Sequence, residues 1–126
     1  MDKFSESSRW IEFAENDYEA VKLLIVSSKP LLEIICFHCQ QCAEKYLKAF
    51  IVKHNGEIKK THNLEELCKA CTVFDGDFAE IKDLCIDLTD YAVEIRYPYP
   101  FEIDSDDMKK AVKDMESIRE FIRTKL

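Results

Sequence analysis

The segment from Ile34 to Phe50 constrains the fold more than any other part of the chain. It contains neither glycine nor proline, so nothing in it interrupts a helix. At about 100° per residue, most apolar side chains here fall within one helical face. This face holds Leu32, Ile35, Cys36, Cys39, Ala43, Tyr46, Leu47 and Phe50. A face this wide needs several packing partners, which predicts a central helix of a bundle.

The other side of this helix is polar. It carries Glu33, His38, Gln40, Gln41, Glu44, Lys45 and Lys48. A solvated helix face more often consists of lysine and glutamate alone, whereas this one adds a histidine and two neighbouring glutamines. Such side chains supply hydrogen-bond donors and acceptors for an anion or an amide. This pattern indicates a candidate functional surface.

Composition narrows the class of protein. With 126 residues, we expect one domain spanning residues 1–126, and only two glycines and three prolines favour helices over a turn-rich β fold. The net charge of −7 weighs against a broad basic surface for nucleic acid but permits a small local basic site. No apolar run approaches the ~20 residues of a membrane span, and the N-terminus lacks the apolar region of a signal peptide. These features predict a cytoplasmic protein with reduced cysteines.

The six cysteines permit two interpretations. Cys36, Cys39 and Cys42 are three residues apart, a spacing that is found in metal and redox sites. Structural zinc sites usually place this spacing in a tight turn, whereas here it lies inside a helix, on or beside the apolar face. Because cysteine also behaves as a small buried hydrophobe, we favour the core and expect no metal.

The first helix is predicted from about Ser7 to Ser28, and Asp17 lies within its apolar stripe. Either this carboxylate is buried with a partner, or the stripe is narrower and Asp17 is half-exposed. The short connection to the second helix, which ends near His54, makes the two helices antiparallel neighbours. Asp17 is then expected near Gln41 and Lys45.

Three further helices complete the predicted fold. A short third helix runs from Asn63 to about Val73, with His62 at its start as either a capping and packing residue or a site residue. After a turn at residues 75–77, a fourth helix runs from Phe78 to Arg96, and a last helix begins at Asp104. The prediction is an all-α, up-and-down four-helix bundle with one additional short helix.

The predicted fourth helix carries a second apolar strip, Ile86 with Val93, beside Thr89. Two interpretations remain open: a contact between subunits, or two scattered surface residues. We predict the first, a homodimer about a two-fold axis that brings two copies of Arg96 to one cleft. Helix one is the second choice of interface.

Four motifs resemble those of the HEPN family, the higher eukaryotes and prokaryotes nucleotide-binding domain. They are Trp10-x-x-x-Ala14-x-x-Asp17, Phe37-His-x-Gln-Gln-x-Ala-Glu-Lys-x-Leu-Lys-Ala49, Thr61-His62-x-Leu64-x-x-Leu67 and Arg96-Tyr97-Pro98. The resemblance implies a helical bundle that is commonly dimeric. It also implies nucleotide or RNA binding and a small nucleotidyltransferase partner in a toxin–antitoxin-like arrangement.

Many members of this family are metal-independent ribonucleases with an Arg, four to six spacer residues and a His near the end of the fourth helix. Counted from Arg96, that His would stand at position 101, 102 or 103, which hold Phe101, Glu102 and Ile103. Some members of the family have a Tyr six residues after the Arg instead, and this chain does not match that pattern either, because position 102 is Glu102. Cleavage by the family's usual mechanism is therefore not expected.

The site predicted first binds a nucleotide or RNA, without a cofactor, through Arg96, Tyr97, Gln41, Lys45 and His38. The guanidinium fork and the ammonium suit phosphate, and an aromatic ring such as Tyr97 or Tyr99 can stack on a base. The alternative is a ribonuclease with a substituted site that uses Arg96, His38, His62 and Glu102. In a purely structural interpretation, Arg96 and Tyr97 cap the bundle and pair with an acid such as Asp17 or Glu44.

Overall fold

The computed structural model describes residues 3–92 and 102–126. Within these ranges the chain forms five α-helices: α1 (Lys3–Ile25), α2 (Leu32–Lys53), α3 (Leu64–Phe74), α4 (Lys82–Thr89) and α5 (Ser105–Lys125). A 3₁₀ helix, Gly76–Ile81, leads directly into α4, and the described residues include no strand. The predicted all-α class is therefore confirmed.

Helix α2 lies at the centre, as its wide apolar face predicted. It packs against α1, α3, α4 and α5, and its Ile35, Cys39 and Leu47 are fully buried. Burying each large apolar side chain contributes about 1.5–3 kcal/mol. The uninterrupted stretch of apolar residues thus holds together the helices around it.

Helices α1 and α2 run antiparallel. Near the start of α1, the Ser7 hydroxyl donates a buried hydrogen bond of 3.0 Å to the carbonyl oxygen of Ala49, near the end of α2. Further along α1, Asp17 contacts His38, which is nearer the start of α2. This direction brings the polar residues of the two helices side by side.

Capping residues mark the starts of α3 and α5 where the sequence predicted them. Asn63 Oδ1 accepts a 3.1 Å hydrogen bond from the Glu66 amide. Asp104 and Asp107 exchange side-chain and backbone hydrogen bonds of 2.8 and 3.0 Å in a capping box. Each cap satisfies amide groups that the first helical turn leaves without partners.

The predicted fourth helix is wrong at its beginning. The chain first forms the 3₁₀ helix, because the Asp75 carboxylate accepts from the Asp77 amide and the Phe78 amide donates to the Asp75 carbonyl. This tighter start places the ring of Phe78 in the core, with its centroid 4.4 Å from that of Phe50 and 5.0 Å from that of Phe121. The predicted helix is also wrong towards its end, because α4 ends at Thr89 and residues 90–92 form a turn and a bend.

The proposed interface strip is described only in part. Ile86 is 37% exposed, as the strip requires. Thr89 is not part of an outward face, because its hydroxyl accepts from the Leu64 amide and donates to the Cys85 carbonyl. Val93 lies outside the described residues, so the strip as a whole stays a prediction.

All six cysteines are free thiols that lie buried, as the core interpretation predicted. Burial raises the pKa of the Cys36 thiol to about 12 and raises the pKa of the Cys39 and Cys42 thiols further. The helices of the described ranges include none that is both long and apolar enough to cross a membrane.

Candidate functional site

Asp17 of α1 reaches the polar side of α2. The residue is only 7% exposed. Its Oδ1 lies 2.8 Å from Nδ1 of His38, and its Oδ2 accepts a 2.6 Å hydrogen bond from Nζ of Lys45. Of the two alternatives that the sequence left open, the buried and paired carboxylate is therefore correct. We call Asp17, His38 and Lys45 the Asp17 cluster.

The Asp17 cluster leaves polar atoms available. A carboxylate that also accepts from Lys45 acts as an acceptor, so the bonded His38 Nδ1 is the nitrogen that carries the hydrogen. In the neutral ring with its hydrogen on Nδ1, Nε2 of His38 is an acceptor, and the Lys45 ammonium keeps two of its three donors among the described residues. The side chains of His38 and Lys45 are 28% and 24% exposed, so a ligand can reach both.

A second carboxylate, Glu44 of α2, is buried more deeply, at 3% exposed. Its Oε2 accepts from Lys48 Nζ at 2.9 Å, and its Oε1 lies 2.8 Å from Nδ1 of His62. Gln40 Nε2 donates to the same oxygen at 3.2 Å and to the His62 carbonyl at 2.9 Å. We call these four residues the Glu44 cluster.

Part of the polar side of α2, predicted as a candidate functional surface, is buried in the Glu44 cluster. Gln40, Glu44 and Lys48 are all buried, because the segment before α3 covers this part of the helix. The Lys48 ammonium also lies 5.5 Å from the ring centroid of Trp10. Helical periodicity assigns a residue to the polar face of a helix, but it does not show whether a loop covers that face.

Gln41 lies between the two clusters and is half-buried. Its Nε2 donates to Gln40 Oε1 at 2.8 Å and contacts Glu44 Oε1 at 3.5 Å. Gln41 and Lys45 were both predicted near Asp17. Lys45 bonds to Asp17, whereas Gln41 bonds to the Glu44 cluster.

A third polar cluster was not predicted at all. Glu15 of α1 accepts two hydrogen bonds of 2.7 Å from Arg119 of α5 and another from the Tyr46 hydroxyl. The hydrogen bond from Arg119 is the largest cause that lowers the pKa of Glu15, while burial raises the pKa of Tyr46 to about 12. The Arg119 guanidinium stacks 3.9 Å from the centroid of the Tyr18 ring. Glu15 and Arg119 are 104 positions apart, and no local pattern connects them.

Apart from His62, the described structure does not bring the remaining predicted site residues to the clusters. Arg96, Tyr97 and Tyr99 lie outside the described residues, so their part in the site stays a prediction. Glu102 is exposed near the start of α5 and forms no ion pair within residues 3–92 and 102–126. His62 belongs to the Glu44 cluster and does not cap α3, since Asn63 does, so its part in a functional site stays a prediction.

The sequence matches a known protein family over nearly its whole length. The family model described as HEPN domain matches residues 7–125. The chain belongs to the HEPN domain family. No curated protein sequence matches it significantly.

Membership of the HEPN family implies a function related to nucleotides or RNA. The described motifs of this HEPN chain also meet in space. Asp17 of the first motif bonds His38 and Lys45 of the second, and His62 of the third meets Glu44 of the second. Residues of the motifs on which the resemblance rests therefore form the contacts within the two clusters.

Proposed function

We propose that this HEPN chain binds a nucleotide or RNA at the Asp17 cluster. One observation carries the proposal: a buried carboxylate holds a lysine and a histidine whose remaining polar atoms are accessible from solvent. The fixed side chains lose less conformational entropy on binding than free ones would. The charges of Asp17 and Lys45 cancel, but the cluster presents its ammonium and its imidazole to solvent in a fixed arrangement.

Each residue has a distinct role in this proposal. Lys45 places a positive charge beside a phosphate oxygen, and His38 Nε2 accepts from a ribose hydroxyl or a base. Gln41 contributes its amide at the edge of the site. We further propose that Arg96 adds a bidentate contact to phosphate and that Tyr97 stacks on a base.

Isothermal titration calorimetry with ATP, GTP and a short single-stranded RNA tests this function. Lys45→Ala and Arg96→Ala are expected to weaken binding about tenfold each, a loss of about 1.4 kcal/mol. Lys109→Ala is the matched control, because Lys109 is exposed on α5 and forms no ion pair in the described structure. Equal weakening in all three variants would indicate only the loss of net positive charge.

Two outcomes contradict the proposal. The first is no binding of any probe by a folded wild-type protein. The second is binding that Lys45→Ala and Arg96→Ala leave unchanged, which would place the ligand elsewhere.

We also propose that the chain works in the cytoplasm with a small nucleotidyltransferase in a toxin–antitoxin-like system. Membership of the HEPN family supports this, since such partnerships are frequent in the family that the sequence resembles. A nucleotidyltransferase reading frame adjacent to the gene is expected. Growth arrest on expression of the HEPN chain, relieved by co-expression of that frame, would support the pairing; absence of both would contradict it.

A homodimer is the third part of the proposal. Exposed Ile86 supports it, and a stable interface requires on the order of 1,000 Å² or more, so other helices must contribute. Val93→Glu is expected to weaken the dimer, because it buries an unpaired charge. Sedimentation velocity at tens of micromolar measures this; a monomeric wild type, or a variant as dimeric as its parent, would rule the interface out.

The alternative function, a metal-independent ribonuclease, is favoured by the Asp17–His38 pair. A carboxylate that orients the ring through Nδ1 leaves Nε2 as a general base for a ribose hydroxyl. Incubating tRNA with the purified chain tests this alternative. Cleavage lost in His38→Ala and reduced, with an altered pH profile, in Asp17→Asn would establish the ribonuclease in place of a binding module. Intact tRNA would leave binding as the function.

A further inference from the structure

A groove lies between α3 and the segment formed by the 3₁₀ helix and the start of α4. Its volume is about 480 Å³, within the range of roughly 300–1,000 Å³ that is typical of binding pockets. We call it the α3–α4 groove. None of its lining residues belongs to the Asp17 or Glu44 cluster, so it is a separate feature of the surface.

The walls of the α3–α4 groove are apolar in effect. The Cys68 thiol donates to the Phe78 carbonyl at 3.3 Å, and the Thr72 hydroxyl donates to the Cys68 carbonyl at 2.8 Å. The hydrogens of both polar side chains in the wall are thus used internally. Val73 and Ala79 complete the wall, so the groove offers mainly apolar contact.

The rim of the groove is cationic. Lys69 and Lys82 are exposed, and neither forms an ion pair with any residue that the structure describes. Elsewhere, Lys45, Lys48 and Lys110 are all paired with carboxylates. Two lysines against one acid, Glu65, give the lining an excess of one positive charge in a chain of net charge −7.

The apolar wall of the groove is open to solvent at the end of α3. Val73 is 82% exposed and the adjacent Phe74 is 43% exposed. Exposed apolar surface rimmed by polar residues is a feature of protein interaction sites. The occupant must therefore combine apolar side chains for the walls with negative charge for the rim.

We infer that the α3–α4 groove is a docking site for a segment of another protein. That segment inserts a large apolar side chain between α3 and the 3₁₀ helix. An aspartate or glutamate beside this side chain pairs with Lys69 and Lys82. The inference is independent of the proposed nucleotide or RNA site.

Selection from a displayed library of random 12-residue peptides tests the inference. Peptides enriched on the wild-type protein are expected to combine large apolar residues with Asp or Glu. The variant Lys69→Glu/Lys82→Glu should weaken their binding at least about tenfold, and Ala79→Trp, which fills the groove, should do the same. The matched control Lys109→Glu/Lys113→Glu makes the same change of charge on exposed residues of α5 and should bind normally.

A charge exchange sharpens the test, because peptides whose acids are replaced by lysine should bind Lys69→Glu/Lys82→Glu better than the wild type. Urea unfolding must first show that each variant is folded. Several results would overturn the inference: no enrichment, no preference for acidic peptides, or equal binding by the wild type and the two groove variants. Wild-type self-association that is lost in the same variants would overturn it too, by assigning the groove to a second copy of the chain.

Discussion

Two carboxylates lie at the polar side of α2: Asp17, which reaches it from α1, and Glu44 of α2 itself. Each contacts one histidine and one lysine. Asp17 binds His38 and Lys45 at 2.8 and 2.6 Å, and Glu44 binds His62 and Lys48 at 2.8 and 2.9 Å. The chemistry is equal, but the lysines differ in exposure. The Lys45 side chain is 24% exposed, whereas that of Lys48 is 9% exposed.

We expect the exposure of the lysine, and not residue type, to separate the proposed binding cluster from the structural one. The histidines are exposed in the opposite order, since the side chain of His62 is 48% exposed and that of His38 is 28% exposed. Lys48 is enclosed between Glu44 and the Trp10 ring, so its charge is satisfied inside the protein. Lys45 is fixed by Asp17 at one donor and remains open to solvent at the others. A buried pair becomes costly when one partner is removed, while a half-exposed partner can turn to water.

The largest loss of stability is expected from Glu44→Gln. The substitution leaves the Lys48 ammonium buried without a negative partner, so the free energy of unfolding should fall by about 3 kcal/mol. Urea denaturation at pH 7 measures this. A loss below about 1 kcal/mol would show that water reaches Lys48, and the contrast between the two clusters would disappear.

The double variant Glu44→Gln/Lys48→Met separates charge from packing. Removing the ammonium as well should recover much of the lost stability, because no unpaired charge then remains. If the double variant is as unstable as Glu44→Gln alone, the loss comes from the hydrogen bonds of Gln40 and His62.

Glu15→Gln is expected to have the next largest effect, about 2 kcal/mol, because it weakens a bidentate pair with Arg119. The cationic partners of Glu15 lie on α5, so this carboxylate connects α1 to α5. Nucleotide or RNA binding should stay unchanged. Altered binding with unchanged stability would mean that Glu15, and not Asp17, serves the ligand.

The contribution of Glu15 should depend on pH. Its pKa is lowered in the folded state, chiefly by the hydrogen bond from Arg119, relative to an unfolded value of about 4.3. Its stabilisation is therefore complete above about pH 4.3 and is lost as the pH falls through the folded pKa. The difference in unfolding free energy between wild type and Glu15→Gln should be constant from pH 7 to pH 5 and shrink below pH 4. A difference that is constant down to pH 3 would contradict this.

The contrast among these clusters was only partly predictable from sequence. The position of Asp17 followed from helical periodicity and a short connection, which together set the register of α1 against α2. The burial of Glu44 did not follow, because it depends on how residues 54–63 fold back over α2. The Glu15–Arg119 pair joins α1 to α5 across almost the whole chain, and a single sequence carries no signal for it.

The fold shows the same division. Helices α2, α3 and α5 were found close to where the sequence placed them, whereas α1 begins and ends a few residues earlier than predicted, at Lys3 and Ile25. The start of the fourth helix was missed, because Asp75 accepts from the Asp77 amide and a 3₁₀ turn then carries Phe78 into the core. The Phe50–Phe78 ring pair then holds this geometry from the core, and helical periodicity does not report such a contact.

Asp17→Asn should have a smaller effect, about 1 kcal/mol, since His38 and Lys45 can both be hydrated when the carboxylate is lost. The amide keeps the shape of the side chain, so the packing of α1 against α2 is retained. Urea denaturation beside Glu44→Gln gives the comparison directly. Equal losses in the two variants would mean that the Asp17 cluster is as structural as the Glu44 cluster.

The smallest effect on stability is expected from Lys45→Ala, about 0.5 kcal/mol, because a half-exposed ion pair contributes little and Asp17 keeps its bond to His38. Lys48→Ala is the matched variant in the other cluster. It should cost more stability, because the partners left to the buried Glu44 among the described residues are His62, Gln40 and Gln41. Ligand binding should show the reverse order, with Lys45→Ala weakening it about tenfold and Lys48→Ala leaving it nearly unchanged. Urea denaturation and calorimetry on the same two variants give both orders. If the two orders run in parallel, the ligand depends on the stability of α2 as a whole, and accessibility of the lysine does not distinguish the two clusters.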